Sequence, residues 1–446
     1  MKAAAGDDLQ LRKGENLQCM GVFELKTPID FVFGFAHNKC TDFPAEPYQR
    51  ASRQRTGKEG YGTMIDETQS SQAISRAVEA KREYMRKALR EDNLFHYESL
   101  TRDFHIDDAQ YESELLPFWK QYGMAPEKYW FEMAGSRDHA VNPLFVPSDF
   151  YFCDLIPYLN NMQFRHGTQD KCYYDLLFPD IHRPRSICRC MSGLHYDGSM
   201  NRISRDRAVD LILRESGGLV IKPSIYTCGG EDVKALAPAA LTRKQVEKIL
   251  DDAGANFIVQ EKVNEHPVYR KIAEGGPTTV RALSMLTEEG TYIPYMLLRV
   301  SPANDQIVHY GRQGYYAAIG DDNRPARRVL RDYLKENGAF ILPPRWEDMP
   351  ALLREAEASL PGMDDIREQV KRMHPRLPHF RWIGWDFMVD EAGKAVFIEC
   401  NFAPGYYESQ TTCCTPIFGD MTEQVIDDFF RGRSLEKNHM QGILIL

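Results

Sequence analysis

The sequence predicts an α+β protein that opens with a helical region. Three observations lead there. Between about Gln69 and Asn142, apolar residues recur at helical spacing. From about Val146 onward, short apolar runs alternate with helices that carry capping residues. From Ile383 to Gly405, two apolar runs flank the polar stretch Asp390-Glu391-Ala392-Gly393, which is good chemistry for a hairpin turn.

The chain has 446 residues, 43% of them hydrophobic and 27% charged. That length suits about three structural units and a large core. Net charge is -9, from 55 Lys+Arg against 64 Asp+Glu. This balance speaks against nucleic acid or an anionic membrane as the main partner, because both need a basic footprint. The first residues, MKAAAGDDLQ, lack the apolar stretch of a secretory signal, and the longest apolar run, around Tyr292 to Val300, is too short to span a bilayer. Ten cysteines without paired C-x2-C spacing read as reduced thiols, so the expected location is the cytoplasm.

Four units are expected. Residues 1–68 form an N-terminal extension, in which Arg50, Arg53, Arg55 and Lys58 lie in a polar loop. Residues 69–145 are helical. Ile74, Val78, Met85 and Leu89 share one face, and a second helix from Asp107 or Asp108 buries Leu115, Leu116 and Trp119. Residues 146–215 form a small α+β unit ending in a helix capped by Ser204. Residues 216–446 form the largest unit. There Thr242 and Gln245 make a capping box, and helices are expected between Met349 and Met373 and from Thr422 to Phe430.

The C-terminal hairpin carries the strongest chemical signal. A four-residue loop would place Val389 opposite Lys394 and Asp386 opposite Phe397, with Phe397, Glu399 and Asn401 on the face of Asp386. Cys400 then points inward. Two carboxylates and an amide on one apolar hairpin suit a hard cation such as Mg2+, which takes one or two carboxylates and completes its shell with water and phosphate. Taken alone, such a hairpin could equally face its acids to water.

Two further segments fit a nucleotide. In LVIKPSIYTCGGEDV, a buried strand ends at Lys222 and runs into a loop of small residues containing Ser224, Gly229 and Gly230. The glycine N–H groups can cradle an anion, and Lys222 adds a point charge. The spacing is not that of a P-loop. In FIVQEKVNEH, a strand turns polar at Gln260 and Glu261, where backbone groups and one carboxylate can meet an adenine edge.

Lys222 with its glycine loop, the run Gln260-Glu261-Lys262-Val263, and Asp386…Glu399-x-Asn401 follow the order and approximate spacing of the ATP-grasp superfamily, which the chain resembles from roughly Pro147 to Phe430. Asp170-Lys171, the segment PRSICRCMSG (Pro184 to Gly193) and TTVRALSML (Thr278 to Leu286) make it most similar to the sugar-transfer-associated members. The resemblance implies two α+β lobes gripping ATP over residues 216–446, an adenine hinge near 260–263, and a small preceding domain over 146–215. It implies that Lys171 and Lys222 hold ATP phosphates, with Ser224, Gly229 and Gly230 in the phosphate loop. Glu261 and the backbone near Val263 would meet adenine, beside Gln260 and Lys262. Asp386, Glu399 and Asn401 match metal ligands for two Mg2+ ions, with Mn2+ as the substitute, and Glu399 bridging. Arg281 and Arg299 match arginines that face the transferred phosphate or the acyl intermediate. Glu265 is the candidate ribose carboxylate. The stretch DQIVHYGRQGYY departs from the pattern, with His309 and Tyr310 near an expected Asn and Gly314 unpaired.

The implied activity is ligation of a small carboxylate, sugar-linked ones included, to an amine through an acyl phosphate, in glycan or secondary-metabolite tailoring and by a monomer or homodimer. A kinase acting on a small molecule and a non-catalytic nucleotide-binding module are the competing readings. Product analysis separates the first rival, and the intact Asp386, Glu399, Asn401 and Lys222 speak against the second.

Overall fold

The computed structural model describes residues 67–225, 232–273, 276–301, 315–331 and 359–432. Gly229, Gly230, the basic cluster before 59, and His309, Tyr310 and Gly314 lie outside these residues, as does the first of the helices expected after Met349.

A long helix, Glu67–Leu100, begins the described chain and buries Val78 and Leu89. Asp107 caps the next helical stretch by accepting the Gln110 N–H, and Leu115, Leu116 and Trp119 are buried behind it. These helices pack through Trp119, Phe131, Phe150 and Tyr151 into a core shared with the larger of two antiparallel sheets.

The smaller sheet has five strands in the order β2-β1-β5-β3-β4: β1 is Ser186–Met191, β2 Leu194–Asp197, β3 Leu219–Pro223, β4 Lys234–Leu236 and β5 Phe257–Glu261. Two helices cover it. Arg205–Leu213 starts at Ser204, whose hydroxyl accepts the Arg207 N–H. Arg243–Ala253 starts with the reciprocal Thr242–Gln245 box, which contributes about 1 kcal/mol, and ends at Gly254 with φ +75°. Ile187, Val209, Ile212, Ile221, Val246 and Phe257 fill the space between. The sheet runs across the expected division at 215–216, since β1 and β2 precede it and β3 to β5 follow.

The larger sheet has six strands in the order β11-β10-β6-β7-β8-β9. β6 is Thr278–Thr287, β7 Gly290–Val300, β8 Tyr315–Ile319, β9 Pro325–Arg331, β10 Trp382–Val389 and β11 Ala395–Asn401. Strands β6 to β9 follow one another as a meander, whereas β10 returns to the open side of β6 and β11 becomes the edge. The amphipathic helix Met363–Met373 packs Ile366, Val370 and Met373 into the same core, and Thr422–Arg431 adds Val425, Ile426 and Phe429. The α+β expectation holds: the described residues form two antiparallel sheets, each backed by helices, with a helical segment in front.

Candidate functional site

Strand β10 is buried on both sides. Ile383, Trp385, Phe387 and Val389 alternate into the core, so Asp386 takes the other face and is itself 4% exposed. Its hairpin partner does not sit where simple alternation puts it. The turn is one residue longer than expected: the Asp390 N–H donates to the Lys394 carbonyl, Asp390 Oδ1 accepts the N–H groups of Ala392 and Lys394, and Gly393 supplies φ +77°. Val389 therefore pairs with Ala395, not Lys394. Phe397 pairs with Phe387 and joins Tyr174, Phe178 and Trp385 in the core, so it does not share the face of Asp386. Ile398 is then the extra residue of a bulge, and Glu399 falls directly opposite Asp386.

The outcome is a straight row across the sheet. Glu399 faces Asp386, Asp386 faces Arg281, Arg281 faces Leu297, and Leu297 faces Ala318. Arg281 binds Asp386 with two parallel bonds, Nε to Oδ1 and Nη2 to Oδ2, both 2.8 Å. Arg299, two residues along β7 from Leu297, reaches Asp386 Oδ2 at 3.4 Å and stacks its guanidinium 5.8 Å from the Tyr316 ring centre. Asn401 donates its amide to the same oxygen at 3.4 Å. Burial would raise the Asp386 pKa, but Arg281 and Arg299 outweigh it and hold the carboxyl below its ordinary value.

Lys222 comes from the smaller sheet, and Lys171 from a short helical turn tied to it. Lys222 stands near the end of β3 opposite Ile258 and is 8% exposed. Burial, reinforced by the charge of Lys171, pushes its pKa down to about 8. Lys171 follows Asp170, whose side chain accepts the Cys172 N–H, and its own N–H donates to the Ser224 carbonyl at 3.0 Å. Its ammonium lies 3.4 Å from Glu399 Oε2. Ser224 is fully buried and ties back through its N–H to the Asn256 carbonyl at 3.2 Å. Lys171, Lys222, Arg281 and Arg299 thus face two carboxylates, an excess of two positive charges where the sheets meet. Such a cluster of charge attracts a polyanion.

At the exit of β5, Gln260 donates its amide to the Pro184 carbonyl at 3.3 Å. Glu261 accepts the Arg185 N–H at 2.9 Å and pairs with the Arg185 guanidinium at 3.4 Å. The Lys262 N–H goes to the Gly218 carbonyl at 2.9 Å, and Val263 is half-buried beyond it. Glu265 is buried, and its Oε1 accepts both the N–H and the hydroxyl of Thr278 at 2.8 and 2.6 Å. Sequence reading places these residues together at the end of one strand, but it does not show that Arg185 and Thr278 already engage the two carboxylates.

No cluster of three or more His, Cys, Asp or Glu side chains suited to a metal occurs among the described residues. The donor set at the hairpin nonetheless fits magnesium. Asp386, Glu399 and Asn401 offer hard oxygens; four donors already meet the Asp386 carboxylate, two from Arg281 and one each from Arg299 and Asn401, so a bound ion would take the place of the longer 3.4 Å contacts.

Two residues that matter here escape sequence reading. Asn160 is fully buried; its amide donates to the Trp382 and Phe402 carbonyls, each at 2.7 Å, and its Oδ1 accepts the Trp382 N–H at 3.0 Å. It binds the start of β10 to the residue just after β11. Tyr174 accepts the Cys400 N–H at 3.3 Å. One Asn of an Asn-Asn pair and a tyrosine in an aromatic run carry no signal of such roles.

No family model matches the chain, and neither does any curated protein. Among solved structures it is similar to the ATP-grasp ligase PsnB complexed with a phosphomimetic variant of its minimal precursor, Mg and ADP (15% identity over 61% of this chain and 61% of that one, TM-score 0.36). It is also similar to an L-amino acid ligase from Bacillus licheniformis (12%, 61% and 49%, TM-score 0.33) and to D-alanyl-alanine synthetase A from Vibrio cholerae (12%, 62% and 65%, TM-score 0.32). The chain covers less than two thirds of each of these proteins.

Proposed function

We propose that the chain is an ATP-grasp ligase that uses ATP and Mg2+ to activate a carboxylate as an acyl phosphate and then joins it to an amine, with release of ADP and phosphate. The observation that carries this reading is the row Glu399–Asp386–Arg281, met by Lys222 of the other sheet and by Lys171 of the short turn tied to that sheet. It combines hard oxygen donors with an excess of buried positive charge, the pairing that phosphoryl transfer requires.

Little covalent chemistry falls to the protein, which works by alignment and charge stabilisation. Lys171 and Lys222 hold phosphate oxygens, with Ser224, Gly229 and Gly230 as further phosphate contacts. Gln260, Glu261, Lys262 and Val263 line the base, and Glu265 is oriented by Thr278. Arg281 and Arg299 stabilise charge on the phosphoryl group in transit and on the acyl oxygen; both are about 7% exposed, so little water screens them. Asp386, Glu399 and Asn401 would hold magnesium, which when bound neutralises phosphate charge and polarises the phosphoryl oxygen. Cys400 and Cys172 play no nucleophilic part: burial pushes both up to about 12, where the thiolate is scarce.

The substrates are a small carboxylic acid, with sugar-linked acids one candidate class, and an amine. The test is an ADP-release screen of amino acids and sugar acids in pairs, with mass spectrometry of products. A new amide accompanied by ADP and phosphate is the expected result. A stable phosphorylated acceptor would replace the ligase with a kinase, and absence of nucleotide binding would remove the reading altogether.

A further inference from the structure

β11 is an edge strand, so the N–H groups on its outer side need partners from outside the sheet. Asp365 takes the Ala395 N–H at 2.9 Å, and the segment from Gln169 to His182 takes two others. The Phe397 N–H donates to the His182 carbonyl at 2.9 Å, and the Cys400 N–H donates to the Tyr174 hydroxyl at 3.3 Å. These two donors bracket the bulge at Ile398, the irregularity that brings Glu399 opposite Asp386. The Tyr174 hydroxyl in turn donates to the Gln169 carbonyl at 3.3 Å, one turn back in its own segment. Its ring is locked by Phe397 and Phe178, with centroids 5.0 and 6.2 Å away.

The same segment is fixed to the smaller sheet. The Lys171 N–H reaches the Ser224 carbonyl at the end of β3, and the Cys172 carbonyl accepts from the fully buried Arg189 of β1 at 2.7 Å. Lys171 and Tyr174 therefore act from one rigid bracket, the first on the Glu399 carboxylate and the second on the backbone one residue further. A bulge left free on an edge strand can slip back into regular alternation, and one residue of slip turns a side chain to the opposite face.

We propose that Tyr174 is a positioning residue whose hydroxyl, by holding Cys400 N–H, keeps the bulged segment Ile398–Asn401 in the register that presents Glu399 and Asn401 beside Asp386. Tyr174 touches neither nucleotide nor substrate in this role; it acts through β11. The inference rests on the proposed Mg2+ and nucleotide site, and its test separates the two.

The informative variant is Tyr174→Phe, which removes one oxygen and keeps the ring. ADP binding is titrated by calorimetry over a range of Mg2+ concentrations, and amide exchange is followed in peptides covering 382–389 and 395–401. In Tyr174→Phe the Mg2+ concentration needed for half-maximal ADP affinity is expected to rise about tenfold. Exchange should quicken in 395–401 and stay unchanged in 382–389. A purely structural role would lower the melting temperature and leave the Mg2+ requirement where it was, and that outcome overturns the proposal. Wild-type protein without Mg2+-dependent ADP binding would instead sink the nucleotide reading beneath it. If the variant does not fold, exchange in the wild type alone still decides, because a Cys400 amide that exchanges like an unprotected one excludes the clamp.

Discussion

Arg281 holds both oxygens of Asp386, and Lys171 lies against Glu399, so each carboxylate proposed for the metal is balanced by a cation proposed for the phosphates. A polyanion that draws Arg281 and Lys171 toward itself uncovers the carboxylates for a cation, and the reverse is equally true. The coupling must be reciprocal. Mg2+ is expected to tighten ADP binding at least tenfold, and Asp386→Asn or Glu399→Gln to erase most of that gain in calorimetric titrations. Each substitution should also cost about 3–4 kcal/mol in the transition state, nearly abolishing turnover. Full activity in purified Glu399→Gln would end the metal assignment.

Lys222, brought down to about 8 by burial and by Lys171, makes nucleotide affinity sensitive to mildly alkaline pH. Below pH 8 the ammonium is charged and attracts phosphate; as pH rises through 8 the free protein loses that charge, and ADP affinity falls by up to tenfold per pH unit. Folding stability moves the opposite way: the unfolded chain keeps its proton up to its ordinary 10.5, so the penalty of burying the charge is relieved between about pH 8 and 10.5. Lys222→Arg should flatten the affinity profile. A wild-type ADP dissociation constant that stays level from pH 7 to 10 contradicts this account.

His374 confers acid sensitivity on the core. Its ring donates from Nε2 to the Phe380 carbonyl at 3.0 Å, leaving Nδ1 to accept the Ser284 hydroxyl at 2.7 Å, while Ser284 receives the Trp385 indole N–H at 2.7 Å. Burial lowers its pKa from 6.5 to about 4, so it remains neutral while the unfolded chain takes up a proton. The stabilisation is complete above pH 6.5 and is lost as pH falls through 4, in total about 3 kcal/mol. Urea unfolding at a series of pH values should show this slope in the wild type and a shallower one in His374→Gln. Equal slopes would clear His374 of the effect.

Asn160→Ala should destabilise the fold by about 3 kcal/mol or more, since it orphans the Trp382 N–H and two carbonyls among fully buried residues. The loss should appear in denaturant midpoints with an unchanged m-value. A shift under about 1 kcal/mol would mean that water or a neighbouring group takes over these bonds.

Much of the secondary structure is legible in the sequence because it is local. Asp107, Ser204 and the Thr242–Gln245 box mark helix starts with bonds made within three residues, and β3, β5 and β6 appear as apolar runs. The hairpin is legible as a hairpin, but its register is not. Asp390 takes Lys394 into the turn and Ile398 makes the bulge, and strict alternation cannot show either. The identities Asp386, Glu399 and Lys222 stand out by residue type. Their partners do not, because Arg281 is 105 residues from Asp386 in sequence and nothing near either position marks the other. Tyr174 and Asn160 act through backbone groups, which no side-chain pattern records.

The return of β10 to β6 also sets the order in which this molecule is assembled. The meander β6 to β9 can pair from nearest neighbours as it leaves the ribosome, but one flank of β6 waits for a strand that is made much later. Until residues 382–401 arrive, that flank is an open template on which another nascent chain can add a strand. Slow synthesis or truncation ahead of β10 should therefore appear first as aggregation, and the charged row can close only when the hairpin docks.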